Sequence, residues 1–185
     1  MIRKGKLLFV FAVVVLLLFI LMASPAMAAR VVLSVPGYAQ PAGSNWCWAA
    51  IDKSIIQYLR GSSPTQQDIV NRFADGPNGS ATMDAANNAL HYYRVGTSMQ
   101  YNKLTYTGVQ WQINNNHPMF IRLQNGILGH ANCMRGYDTS TSYVLFIDPY
   151  DGGYHGQSYS NYASGIHWDG NYWNWTGTIF DTYRT

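Results

Sequence analysis

The chain has no glutamate: all nine of its acidic residues are aspartate. That absence excludes an H-E-x-x-H metalloprotease, a Glu-dependent zinc deaminase and a Glu/Glu glycosidase, whose proton transfers need a Glu carboxyl group. Charge of either sign is scarce, at 11% of 185 residues, and there are only two cysteines. The formal charge of +3 comes from one place, because Arg3, Lys4 and Lys6 account for the whole excess and the remaining charges balance. A balanced body has no electrostatic footprint for nucleic acid, so none is expected as a partner. No C-x-x-C pair and no second histidine at ligand spacing accompany the cysteines, so neither a metal nor another cofactor is expected.

Apolar and aromatic residues, in contrast, are abundant, at 48% and 15%. Part of the apolar share is a run of 16 residues, Leu7 to Met22, that follows the basic start and precedes Ala26-Met27-Ala28. A basic start, a short apolar centre and an A-x-A end are the three parts of a secretory signal. At about 1.5 Å per residue the run spans roughly 24 Å as a helix, short of a hydrocarbon core of about 30 Å. The expectation is a signal peptide over residues 1–28, export beyond the cytosol, no membrane attachment once it is cleaved, and one domain over residues 29–185. Outside the reducing cytosol two cysteines can form a disulfide, so Cys47 and Cys133 need separate consideration.

A short strand is expected over Val31–Val35, followed by a loop rich in Pro and Gly. Ile51, Ile55, Tyr58 and Leu59 then recur at helical spacing, with Gly61 placed as a C-terminal cap, so a helix begins near Asn45 and carries Cys47 in its first turn. Ser63-Pro64-Thr65-Gln66 reads as a cap, a first-turn Pro and a capping-box Gln for a second helix ending near Phe73. Thr82 opens a third helix through Tyr92, and a weaker helical stretch covers Thr107 to Asn115. Beyond Pro118 the pattern becomes strands and turns: MFIRL, GHANCMRGY, YVLFID and WNWTGTIFDTY, with Tyr150 to Trp173 largely irregular. Helices first and an antiparallel sheet after them make an α+β fold.

A cysteine is a nucleophile as thiolate, and a helix N-terminus favours that form because first-turn N–H groups and the macrodipole attract negative charge. Cys47 has that address but no base nearby in sequence. His130 opens the strand GHANCMRGY, and Asp148 closes the next strand, YVLFID. A turn centred near Thr139 would set His130 directly opposite Asp148, about 5 Å apart at Cβ, where a carboxylate can orient and stabilise an imidazole. Gln40, on the loop before Cys47, has a side-chain amide that could join the Cys47 N–H in holding an oxyanion.

QPAGSNWCWAA, GHANCMRGY and FIDPYDG, in that order, resemble the Gln, Cys, His and Asp/Asn motifs of papain-like cysteine peptidases, and more closely those of secreted bacterial members with a Q-P…N-W-C-W-A-A signature. The resemblance runs from Gln40 to about Asp181. It implies a papain-like fold, with a helical N-terminal half that carries the nucleophile packed on a C-terminal antiparallel sheet. It also implies Cys47 as nucleophile, His130 as general base and acid, Asp148 as orienting residue and Gln40 as oxyanion donor, acting on a peptide or protein substrate as a monomer. Two departures accompany it: the interval from Gln40 to Cys47 is one residue longer than the pattern, and the domain has little room for substrate-binding insertions.

Other readings use the same residues. A Cys47–Cys133 disulfide would suit a non-catalytic module that binds peptide or glycan through the aromatic residues between Tyr150 and Trp175, although positions 130 and 133 face opposite sides of a strand. An acyl transferase of the same fold would resolve the acyl-enzyme with an amine in place of water. Asp148 before Pro149 also suits an Asx-type turn, and that role is compatible with catalysis.

Overall fold

The computed structural model describes residues 28–168 and 170–185, so the basic start and apolar run lie outside the described residues. Among those described, no helix is long and apolar enough to cross a membrane. The elements run in the order β1 (Arg30–Val32), α1 (Cys47–Arg60), α2 (Gln66–Phe73), α3 (Met83–Tyr92), β2 (Val95–Gln100), α4 (Tyr106–Asn114), β3 (Met119–Asn125), β4 (Leu128–Asp138), β5 (Tyr143–Asp148), β6 (Gly153–Ser158), α5 (Tyr159–Ser164), β7 (Ile166–Trp168) and β8 (Asn171–Arg184). Helices and a C-terminal antiparallel sheet thus form the expected α+β arrangement. The sheet order is β2-β8-β3-β4-β5-β6, with β1 added to β4 and β7 to β8.

The helix ends follow from local chemistry. Gly61 closes α1 in the left-handed region, where its N–H reaches the Gln57 carbonyl. Thr82 caps α3 and Thr105 caps α4 through their hydroxyl oxygens. The cap of α2 lies two residues beyond the expected Ser63. Thr65 accepts from the Asp68 N–H while the Asp68 carboxylate takes the Thr65 N–H, so Asp fills the reciprocal role usually given to Glu or Gln.

Two further expectations give way to tertiary structure. The first strand is Arg30–Val32 in place of Val31–Val35, set by pairing with Gly136–Asp138 of β4. The described part of the Tyr150–Trp173 stretch forms regular elements and is not an irregular loop: β6 pairs along the whole of β5, α5 buries Tyr162 completely, and β7 pairs with the start of β8. None of these pieces has the apolar alternation that marks a strand in sequence.

The core lies between α1 and the sheet. Ile51, Ile55 and Ile56 of α1 are at most 1% exposed, and each such side chain contributes about 1.5–3 kcal/mol by leaving water. Burial of this helix on nearly all sides fixes its N-terminus against β4. That contact places Cys47.

Candidate active site

Cys47 is the first residue of α1, as expected from its helical context. Each of the other described α-helices has a Thr or Ser hydroxyl at its N-cap, whereas Trp46 at the cap of α1 makes no side-chain capping bond. The first-turn N–H groups of α1 are therefore left to whatever occupies the space before them. Trp48, the other flanking aromatic, is buried and donates its indole N–H to the Gly79 carbonyl at 2.8 Å, which ties the helix start to the loop before α3.

The hairpin register differs from the expected one. β4 and β5 pair Cys133 with Ile147 and Met134 with Phe146, then shift at a bulge before Gly136 and Leu145. The turn is centred beyond Thr139, so Asp148 lies across from Asn132 and diagonal to His130. The shift is two residues, which preserves the face of the sheet. The diagonal is within reach of an imidazole: His130 Nε2 is 2.9 Å from Asp148 Oδ1. Cys47 lies close enough to the same ring to raise its basicity, and with Nε2 engaged by Asp148 the remaining nitrogen, Nδ1, is the one left to face sulfur.

Asp148 is fully buried and fully engaged. Besides His130, Oδ1 accepts the Tyr150 N–H at 2.9 Å and Oδ2 accepts the Asn132 amide at 3.0 Å. It is an Asx-turn residue and the partner of His130 at once. Burial alone would lower the basicity of His130, but the hydrogen bond it donates to the Asp148 carboxylate and the negative charges of Asp148 and Cys47 outweigh it and raise its pKa to about 10. The ring is held as imidazolium across neutral pH.

Gln40 reaches the same place by backbone contacts. Its N–H donates to the Pro149 carbonyl at 2.7 Å, joining its loop to the turn after Asp148. Glycine is required there: Gly152 has φ +68°, and an added Cβ would sit 2.6 Å from the Ala39 nitrogen. The Gln40 amide donates to the Ser44 carbonyl at 2.7 Å, which uses one of its two N–H groups. Gln40, Cys47 and His130 all line one cleft of about 570 Å³.

Cys47 and Cys133 are both free, so the disulfide that would have held a binding module is not formed. Cys133 is completely buried, and desolvation pushes its thiol up to about 12. Strand alternation separates it from His130 as expected. His167, the other histidine beside a tryptophan, lies on β7 with its ring against Tyr172 and is not among the residues lining the cleft. Among the described residues, no cluster of His, Cys, Asp or Glu could hold a metal ion.

Sequence reasoning missed the polar support behind the site. Asn132 is buried; its amide spans Asp148 and the Ala131 carbonyl, and its oxygen accepts the hydroxyl of buried Tyr162 at 3.1 Å. Trp173 covers His130, with ring centroids 5.6 Å apart. Asn132 could have been found by parity with His130. Tyr162 and Trp173 come from distant segments with no local signal.

The Peptidase_C39 like family matches residues 32–177. No curated protein matches the chain significantly. Among solved structures, the chain is similar to the peptidase domain of Streptococcus ComA, a bi-functional ABC transporter involved in quorum sensing, with TM-score 0.62, 15% identity, and coverage of 82% of this chain and 99% of that one. Xylellain, a cysteine protease from Xylella fastidiosa, gives TM-score 0.62, 12% identity, and coverage of 84% and 86%. A double glycine motif protease from an AMS/PCAT transporter, in complex with its leader peptide, gives TM-score 0.55, 13% identity, and coverage of 85% and 99%.

Proposed function

The chain belongs to the Peptidase_C39 like family and is a papain-like cysteine peptidase; from that premise we propose that it hydrolyses peptide bonds through an acyl-enzyme on Cys47, with His130 and Asp148 completing a triad. The observation that carries this reading is the 2.9 Å hydrogen bond of His130 to buried Asp148, with His130 and Cys47 lining a single cleft.

In the proposed mechanism, the Cys47 thiolate attacks the peptide carbonyl, and the oxyanion is held by the uncapped Cys47 N–H and the second N–H of Gln40. As the tetrahedral intermediate collapses, the imidazolium of His130 gives its proton to the leaving amine. Neutral His130 then takes a proton from water, whose oxygen attacks the thioester; collapse releases the acid and restores the thiolate–imidazolium pair. Asp148 fixes the ring and stabilises its charged form, while Asn132 and Tyr162 fix Asp148. All four reacting or stabilising groups come from one chain, so a monomer suffices for the chemistry. The solved leader-peptide complex of the AMS/PCAT relative supports a peptide as occupant of the cleft.

Export is part of the same proposal. The basic start, apolar run and A-x-A end support cleavage after Ala28, and the first strand begins directly beyond that point, at Arg30.

The test is labelling of the folded, unreduced protein with a thiol-directed epoxide followed by peptide mapping. Selective labelling of Cys47, with Cys133 untouched and with turnover abolished in Cys47→Ala, is the expected result. A Cys47→Ala protein that retains full activity would eliminate the mechanism.

A further inference from the structure

We propose that Arg122 makes the cleft selective for a peptide that presents a carboxylate close to the bond being cut. The inference rests on the peptidase reading and concerns which peptides the enzyme accepts.

Arg122 stands on β3, opposite Ala131, the residue that follows His130. Both residues line the cleft with Cys47, on the face of the sheet turned toward α3. Arg122 is half-buried, and among the described residues its one hydrogen bond is from Nη1 to Thr176 Oγ1 at 2.9 Å. A guanidinium has five N–H donors, so most of its fork is open to the cleft. Among the described residues no carboxylate lies within 4.0 Å of it.

The nearby acids are committed elsewhere. Asp75 also lines the cleft, but its two oxygens accept from the backbone N–H and the hydroxyl of Thr82 at the start of α3. Asp84 accepts the hydroxyl of Tyr101. His130 is the other cation of the cleft, and its charge is matched by Asp148 and Cys47. Arg122 is thus the cation lining the cleft that has no carboxylate at ion-pair distance among the described residues.

The neighbouring backbone is built to admit this side chain. Gly177 on β8 pairs with Arg122, and a Cβ there would come within 2.6 Å of Met83 Sδ and 3.4 Å of Arg122 Cβ. A side chain at 177 would crowd the site from which Arg122 rises, so glycine leaves room for Arg122 beside Met83. A planar fork held through Nη1 by Thr176, in a cleft that also presents apolar Phe120 and Met83, suits bidentate capture of a carboxylate through its remaining N–H groups.

That carboxylate has two sources, an Asp or Glu side chain or the C-terminus of the peptide itself. The experiment uses internally quenched peptides in matched pairs, with Glu or Gln at each position around the scissile bond and with a free or an amidated C-terminus. For the wild type, kcat/KM is expected to favour the best carboxylate peptide over its amide partner by about tenfold or more. R122Q is expected to erase the ratio, R122K to keep part of it, and R122E to reverse it. Preference for Glu assigns a side chain, and preference for the free terminus assigns the peptide end. A wild-type ratio near one in every pair, or a ratio that survives in R122Q, would overturn the proposal. Calorimetric binding of the same pairs to Cys47→Ala separates the two readings. A wild type that cuts no peptide would defeat the peptidase reading, while the Glu/Gln difference in Kd would still report on Arg122.

Discussion

Two aspartates, Asp148 and Asp52, are equally hidden, at 0% exposure, yet the protein treats them oppositely. Asp148 accepts N–H groups from His130, Asn132 and Tyr150. Asp52, on the same helix as Cys47, has no hydrogen-bond partner for either oxygen among the described residues. Burial pushes its carboxyl well above the usual carboxylate range, so it takes up a proton instead of holding a charge. Strand β4 separates the two: His130 and Asn132 turn toward Asp148 from one face, and Cys133, close enough to feel Asp52, occupies the other. Burial alone therefore does not make a working acid or base here. The network of donors decides whether a buried carboxylate can hold its charge beside a histidine.

The sharpest way to break this contrast is to remove the connected member. Asp148→Ala is expected to lower kcat by about 10²-fold or more, because His130 loses the group that orients it. It also leaves one amide N–H of buried Asn132 unmatched, which costs about 1–3 kcal/mol of stability. Steady-state kinetics and thermal melting together read both effects. An unchanged rate would reduce Asp148 to a turn residue and end the contrast.

The next test concerns the proton itself. The pKa of His130 is raised to about 10 with Cys47 among the causes, so Cys47→Ala should lower it, as followed by NMR titration of the ring. The linkage has a definite sign. A histidine whose folded pKa exceeds its unfolded value of 6.5 stabilises the fold fully below that pH, and the contribution is lost as pH rises toward about 10. In Cys47→Ala that loss should be smaller and end at lower pH. An unaltered His130 midpoint would remove Cys47 from the proton network.

Much of this site was legible in the sequence because its parts carry local signals. Cys47 is marked by a helical repeat that ends at Gly61, and His130 and Asp148 lie in two strands joined by a polar turn. Their register was misjudged by two residues, since the turn is centred past Thr139 and β4 bulges near Arg135; an even error keeps a residue on its face, so the pairing survived. Asn132, Tyr162 and Arg122 were not found, and the reason is physical. Their roles depend on which distant segment lies opposite, and α5, which brings Tyr162, has little apolar periodicity of its own. The same applies to β2, a strand at the sheet edge interrupted by a bulge near Gly96, which finds its place by pairing with β8. In a chain without Glu, the capping box of α2 uses Asp68, and so the expected cap was set at Ser63 instead of Thr65.

The smallest effect should come from the unconnected carboxyl. In the folded protein Asp52 holds its proton to higher pH than the unfolded chain, whose carboxyl has the ordinary value of 3.8, so it weakens the fold as pH rises beyond that value. Asp52→Asn has nearly the same shape and no proton to surrender. It should match the wild type in kcat and melt at a higher temperature, with a larger gap at pH 8 than at pH 5. Each kcal/mol recovered would appear as about 2–4 °C in a chain of this size. Differential scanning calorimetry at the two pH values, paired with the kinetic assay, gives the answer. A fall in kcat comparable to that of Asp148→Ala would mean that Asp52 serves the chemistry through α1 despite its lack of partners, and a lower melting temperature at pH 8 would mean that its carboxyl is stabilised in a way burial does not explain.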